Sequence, residues 1–261
     1  MESLREIYES HNGRLLNKWE HYIDIYDQYF NKYRNKEIVF VEIGIAHGGS
    51  LKMWRTYFGE KATIIGIDIN PECKKFEQGN TKIYIGSQED ETFLLQLKNE
   101  IPQADILLDD GGHTMKQQIT TFNVLFDHIK DDGIYVCEDL HTSYWFEYGG
   151  GYKKSKSFIE FSKNFIDNIN AWHARNKDIS KMYNFITESV LGVHYYDSMI
   201  ILEKRKMSKP ESTIKGSETL SYHFKDFGQT KKITKIIRLW LKWVCKLNCV
   251  KKILLLVKKW W

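Results

Sequence analysis

Residues 105–139 read DILLDDGGHTMKQQITTFNVLFDHIKDDGIYVCED, and the fold turns on this run. Ile106, Leu107 and Leu108 form an apolar run of strand length that stops at Asp109 and Asp110, with His113 three residues on across two glycines. A second apolar run, Ile134 to Cys137, stops at Glu138 and Asp139. Between them, Met115 to Lys130 sets Ile119, Phe122, Leu125, Phe126 and Ile129 at helical spacing, so the unit reads strand, helix, parallel strand. Both strands of such a unit finish on one edge of the sheet, where open α/β folds bind ligands. The pattern therefore predicts that two acidic clusters and a histidine converge.

Three carboxylates beside an imidazole suit a hard divalent cation with a neighbouring base. Asp110, Glu138 and Asp139 offer oxygen ligands, which fit Mg²⁺, Mn²⁺ or Ca²⁺ better than zinc or copper. The His113 imidazole can take a proton from a hydroxyl polarised by that ion. The plainer reading is a set of solvated loop acids and a turn histidine. Five such groups closing two adjacent strands argue against it.

Upstream, the run IVFVEIGIAHGGSLKMWRTYF places Glu42 and Gly44 at the end of a short buried strand. Gly48, Gly49 and Ser50 then lead into a helix carrying Leu51, Trp54 and Phe58. A glycine-bearing strand-to-helix turn is where a backbone comes close to a cofactor. Its spacing is G-x-x-x-G-G, so the pyrophosphate signature of dinucleotide enzymes is missing. A second strand, Thr63–Ile67, ends in Asp68, placed to accept hydrogen bonds from ribose hydroxyls. A third, Lys82–Ile85, precedes Ser87 and Gln88, small polar groups that can border an adenine. Together these strand ends predict a pocket for a nucleoside without a demand for phosphates.

These segments, with YVCEDLHTSYW, resemble the metal-dependent sugar O-methyltransferases related to the macrocin and mycinamicin O-methyltransferases, and the cephalosporin hydroxylase proteins. The resemblance covers about residues 35–152, with a looser match to Arg205. It implies a Rossmann-type class I methyltransferase fold, S-adenosyl-L-methionine as cofactor and Mg²⁺ held by Asp110, Glu138 and Asp139. It also implies His113 as the base, and cofactor contacts at Glu42, Gly44, Gly48, Ser50, Asp68, Gln88 and Asp109. Two positions depart from the pattern: Ser87 stands where many relatives carry an acid, and His141 where macrolide enzymes carry a bulkier residue. The expected acceptor is a sugar hydroxyl of a glycoside, glycolipid or surface polysaccharide.

The rest of the chain frames this domain. Residues 1–34 read as a helical cap, with Trp19, Tyr22, Ile23, Tyr26, Phe30 and Tyr33 on a core-facing stripe. Tyr144, Trp145, Tyr148 and Tyr152 flank Gly149–Gly151, a composition suited to a lid that stacks on a sugar. Phe158 to Trp172 reads as a helix. Ser189 to Arg205 reads as two strands broken at Asp197 and Ser198, and the resemblance makes them the antiparallel pair that closes the sheet of a domain spanning 35–206. Residues 207–230 read as a linker.

Net charge is +4, yet residues 231–261 hold ten Lys or Arg and no acid, which leaves 28 bases against 34 acids in the rest. An acidic body argues against nucleic acid as partner. The tail has apolar residues from Ile233 to Val244 on one helical face and lysines on the other, with Trp260 and Trp261 at its end. That is the pattern of a helix lying on an anionic membrane surface, against a plainer docking helix with a solvated face. Four cysteines without a C-x-x-C pair, and no signal peptide, suggest a reducing cytoplasmic setting. Assembly into a homo-oligomer is left open. Two rival readings of function stand: a non-haem metal oxygenase, and a non-catalytic cofactor-binding adaptor tethered to a membrane.

Overall fold

A computed structural model describes residues 2–175, 180–217 and 219. Residues up to Pro210 form one compact unit. The basic tail and half of the expected linker lie outside the described residues, so the membrane-surface reading has no structural counterpart here. Among the described residues, no helix is long and apolar enough to cross a membrane.

Seven strands form one sheet in the order β3-β2-β1-β4-β5-β7-β6. They are β1 (Val39–Ile43), β2 (Thr63–Asp68), β3 (Thr81–Ile85), β4 (Ala104–Asp109), β5 (Ile129–Cys137), β6 (Val190–Tyr196) and β7 (Met199–Lys204). The first five run parallel, while β7 runs antiparallel between β5 and β6. This is the doubly wound, mostly parallel α/β sheet with a closing antiparallel pair that the family resemblance implies. Strand order reverses between β1 and β4, which puts a crevice beyond their carboxyl ends.

Alternation along the strands builds two cores. Phe40, Ile64, Ile106, Leu108, Ile134 and Val136 face α1 (Leu4–Glu9), α2 (Glu20–Phe30) and α3 (Gly49–Phe58). Val41, Ile43, Ile65, Ile67, Leu107 and Tyr135 face the opposite layer, α4 (Glu91–Glu100), α5 (Met115–Leu125) and α6 (Phe158–Ile169). Tyr26, Phe30, Phe40 and Phe58 surround the fully buried Trp54 with ring centroids 5.0–5.7 Å away. This aromatic cluster binds the helical cap to the sheet.

Two expectations need correction. The helix expected over Met115–Lys130 ends at Leu125; a 3₁₀ turn follows, and Ile129 already belongs to β5, paired with Ala104. The ladder with β4, reinforced by Lys130 Nζ on Asp105 Oδ2 at 2.8 Å, outweighs the helical periodicity there. Trp19 is not a core residue. The chain reaches α2 in an extended conformation at Trp19, which turns the indole off the buried helical face and leaves it 55% exposed.

Truncating Trp54 removes the centre of the cap-to-sheet cluster. Trp54→Ala is expected to cost about 3–5 kcal/mol, as large-to-small changes in a packed aromatic core do, measured by urea denaturation with an unchanged m-value.

Candidate active site

The crevice is built by close approach of backbones. Gly44, at φ +85°, ends β1 so tightly against β4 that an added Cβ would lie 2.0 Å from the Asp110 carbonyl oxygen. Asp110 N–H donates to Ile43 at 3.0 Å, and Glu138 N–H donates to Asp109 at 2.9 Å. The first residues beyond β1, β4 and β5 are thereby stitched side by side.

His113 is set by the start of α5. Thr114 caps that helix in a reciprocal capping box with Gln117, while Thr142 Oγ1 donates to the His113 carbonyl at 2.9 Å. The histidine is left at φ +57° and Asp139 at φ +55°. Non-glycine residues in the left-handed region are uncommon and need support from their surroundings. His113 Nε2 lies 3.4 Å from Asp139 Oδ2 and 3.9 Å from Asp110 Oδ1. Its Nδ1 is buried without a hydrogen-bond partner. Asp110, His113 and Asp139 each present a ligand atom within 4.8 Å of the others.

Glu138 reaches the same cluster from a more buried side. Its Oε1 accepts from the Tyr26 hydroxyl and lies 3.0 Å from Lys18 Nζ, which is also 2.5 Å from Asp110 Oδ2 and 3.7 Å from Glu42 Oε1. Tyr22 donates to Asp139 Oδ1 at 3.0 Å. Burial opposes charge on Lys18, but the three carboxylates hold its pKa well above the ordinary value. Burial and then Asp110 push Glu138 well up, and burial lifts Glu42 to about 7 in spite of Lys18. Three carboxylates facing one ammonium leave the cluster short of positive charge. Oxygen donors with unmet charge, beside an imidazole with a free nitrogen, fit a hard divalent cation.

Two cavities meet at this cluster. One, of about 390 Å³, is lined by Gly44, Asp68, Ser87, Gln88, Gly111 and His113, among others. Asp68 accepts from the amides of Ile45, Ala46 and Asn70 at 2.9–3.1 Å. Gln88 accepts from Gly112 N–H at 3.0 Å and donates to Asp109. Of the residues proposed for cofactor contact, Gly44, Asp68 and Gln88 face this cavity. Glu42, Ser50 and Asp109 are buried behind it: Glu42 accepts from Ser50 Oγ at 2.8 Å and Trp54 Nε1 at 3.2 Å. Gly48 caps α3 at φ +72° without lining the cavity.

The second cavity, of about 500 Å³, is lined by Lys18, Trp19, Asp110, Glu138, Asp139 and His141, together with Asn17 and Glu20. Trp19 and Trp145 flank the His141 ring edge-on at 5.9 and 4.7 Å, and His141 Nδ1 lies 2.5 Å from Ser198 Oγ. Asn17, Asp110 and Asp139 line both cavities. Tyr144, Trp145 and Tyr152 are exposed beside Gly149–Gly151, which bears left-handed backbone at its first residue.

Sequence reading missed Asn17, Lys18, Tyr22 and Tyr26 as members of the site. Nothing local marks them: Lys18 is one lysine before a helix, and the tyrosines repeat at core spacing. Only the fold, which seats α2 over the ends of β4 and β5, brings them there.

Strand order, glycine turn and cavities together define a class I methyltransferase fold. No family model matches the chain. It is 33% identical over 189 residues to the demethylmacrocin O-methyltransferase of Streptomyces fradiae, covering 69% of this chain and 47% of that enzyme. Over 203 residues it is 32% identical to the 8-demethyl-8-(2-methoxy-alpha-L-rhamnosyl)-tetracenomycin-C 3'-O-methyltransferase of Streptomyces olivaceus, covering 73% and 51%. The structure of MycE methyltransferase from the mycinamycin pathway, in complex with Mg, SAH and mycinamycin VI, matches with TM-score 0.70 and 27% identity. That match covers 78% of this chain and 54% of MycE. The chain is thus homologous to sugar O-methyltransferases, and spans about half the length of the curated relatives it matches.

A carboxyl whose pKa is higher in the folded than in the unfolded chain makes stability fall as pH rises between the two values. For Glu42 that window runs from the model-compound 4.5 to about 7. Thermal stability in the absence of divalent ions is expected to decline from pH 5 to pH 7.5, with Glu42→Gln showing a shallower decline by calorimetry.

Proposed function

We propose that the chain transfers a methyl group from S-adenosylmethionine to a sugar hydroxyl, with a divalent ion, Mg²⁺, at Asp110, Glu138 and Asp139. The observation that carries this reading is the shared wall: Asp110 and Asp139 line both the nucleoside-sized cavity and the acid-lined one beside it. Donor and acceptor bound on either side would meet at this shared wall. The sulfonium cofactor supplies an electrophilic methyl group, and the divalent ion supplies Lewis acidity that lowers the pKa of a bound hydroxyl.

The chain's own residues do the remainder. Asp68 and Gln88 orient the nucleoside, the first through whichever carboxylate lone pairs its backbone partners leave. His113 Nε2, close to both Asp110 and Asp139, takes the proton from the acceptor as its oxygen attacks. Trp145, whose ring lies 4.7 Å from that of His141, offers an apolar ring face beside the acid-lined cavity, suited to a sugar. Positioning and fixed charge supply most of the acceleration, since no covalent intermediate with the protein is needed. One relative is named for methylating a rhamnosyl tetracenomycin. The basic composition of residues 231–261 supports an acceptor presented at an anionic membrane surface, such as a lipid-linked glycan, and so a role in surface polysaccharide synthesis.

Glycans and glycolipids from cells with and without the gene are expected to differ by one methyl group in mass spectrometry. The transfer is expected to proceed without oxygen and stop in EDTA; an oxygen requirement would favour the oxygenase reading, and cofactor binding without turnover the adaptor. His113→Ala is expected to lower turnover by about 10²-fold or more, the range for loss of a positioned base. Its Mn²⁺ affinity should stay within a few-fold of wild type, whereas a large loss would make His113 a ligand instead.

A further inference from the structure

Lys18 stands where the divalent ion of the proposed function is expected. It belongs to the irregular segment between α1 and α2, yet its side chain is 1% exposed, with Nζ 2.5 Å from Asp110 Oδ2 and 3.0 Å from Glu138 Oε1. An ammonium on those oxygens and an ion on the same oxygens would be two cations in contact range inside a dry site, where repulsion is strongest. Each satisfies the same charge deficit. We infer that Lys18 is an internal counter-ion that neutralises the acid cluster until a divalent ion displaces it, so that ion binding and docking of residues 14–19 exclude each other.

How the segment is held supports this. Lys18 is its deepest anchor. Elsewhere the segment lies on the body through Leu16, which is half-buried against the core, the Arg14 guanidinium over the Phe76 ring at 4.4 Å and the Tyr8 hydroxyl on the Lys18 carbonyl at 3.3 Å. Leu15 and Trp19 are 66% and 55% exposed. The backbone of Arg14 and Leu15 passes over the glycine turn, where a Cβ on Gly49 would lie 2.3 Å from the Leu15 carbonyl oxygen. Asn17 borders both cavities and Trp19 the second. Release of Lys18 therefore loosens the common mouth of the two cavities, which makes the ion a switch for access as well as a Lewis acid.

The test uses the full chain with Mn²⁺ alone, without methyl donor or acceptor. Free Mn²⁺ is followed by electron paramagnetic resonance during titration of wild type and Lys18→Met. The variant is expected to bind Mn²⁺ at least about ten-fold more tightly, since a like charge has been removed at contact distance. In parallel, hydrogen–deuterium exchange of wild type is expected to speed up across residues 14–19 on Mn²⁺ saturation, and this arm stands even if the variant folds poorly. Equal or weaker affinity in Lys18→Met overturns the inference. So does unchanged or slower exchange of 14–19 in Mn²⁺-bound wild type, although the divalent-ion reading would survive that result. If neither protein binds Mn²⁺, both the inference and the divalent-ion reading fall.

Discussion

Like charges in a dry place need a counter-charge, and the site is arranged around that constraint. Parallel strands deliver Glu42, Asp110, Glu138 and Asp139 to one edge of the sheet, and the carboxylates of Glu42 and Glu138 are almost wholly removed from water. Without a cation, such a group would stay protonated or force the strand ends apart. The helical cap answers with an ammonium and two phenol hydroxyls, from Lys18, Tyr22 and Tyr26. Each of the three comes from within nine residues of chain, and each reaches a different set of acids.

The same constraint explains the division of labour among the acids. Glu42 turns inward to Ser50 and Trp54 and ties the first strand to α3, so its effect on any ligand is through the frame. Asp109 does likewise with Gln88, whose other end holds Gly112. Asp110 and Asp139, one residue further along their strands, emerge into the crevice and border both cavities. A shift of one residue in β4 would exchange Asp109 for Asp110, because side chains alternate across a sheet.

Much of this was legible in the chain itself. The apolar runs ending in acids located β1, β2, β4 and β5, because strands buried on both faces read as short continuous apolar runs, too short for a helix. The convergence of Asp110, His113 and Asp139 followed from strand direction alone. Two things were hidden. The end of α5 depended on a ladder between Ile129 and Ala104, a non-local bond that periodicity cannot register. Lys18 depended on where an adjoining segment comes to rest, about ninety residues away in sequence from Asp110. Cofactor contacts at Gly48 and Ser50 are implied by the family resemblance; in the structure Gly48 caps α3 and Ser50 Oγ donates to Glu42.

The placement of the cap bears on how the protein can be divided. A fragment begun at β1 would keep all seven strands and the acids Glu42, Asp110, Glu138 and Asp139, and by outline would pass for a whole domain. It would also bare the aromatic bed around Trp54 and strip the acids of Lys18, Tyr22 and Tyr26. What looks like a preface to the sheet is one wall of the cavities at its edge.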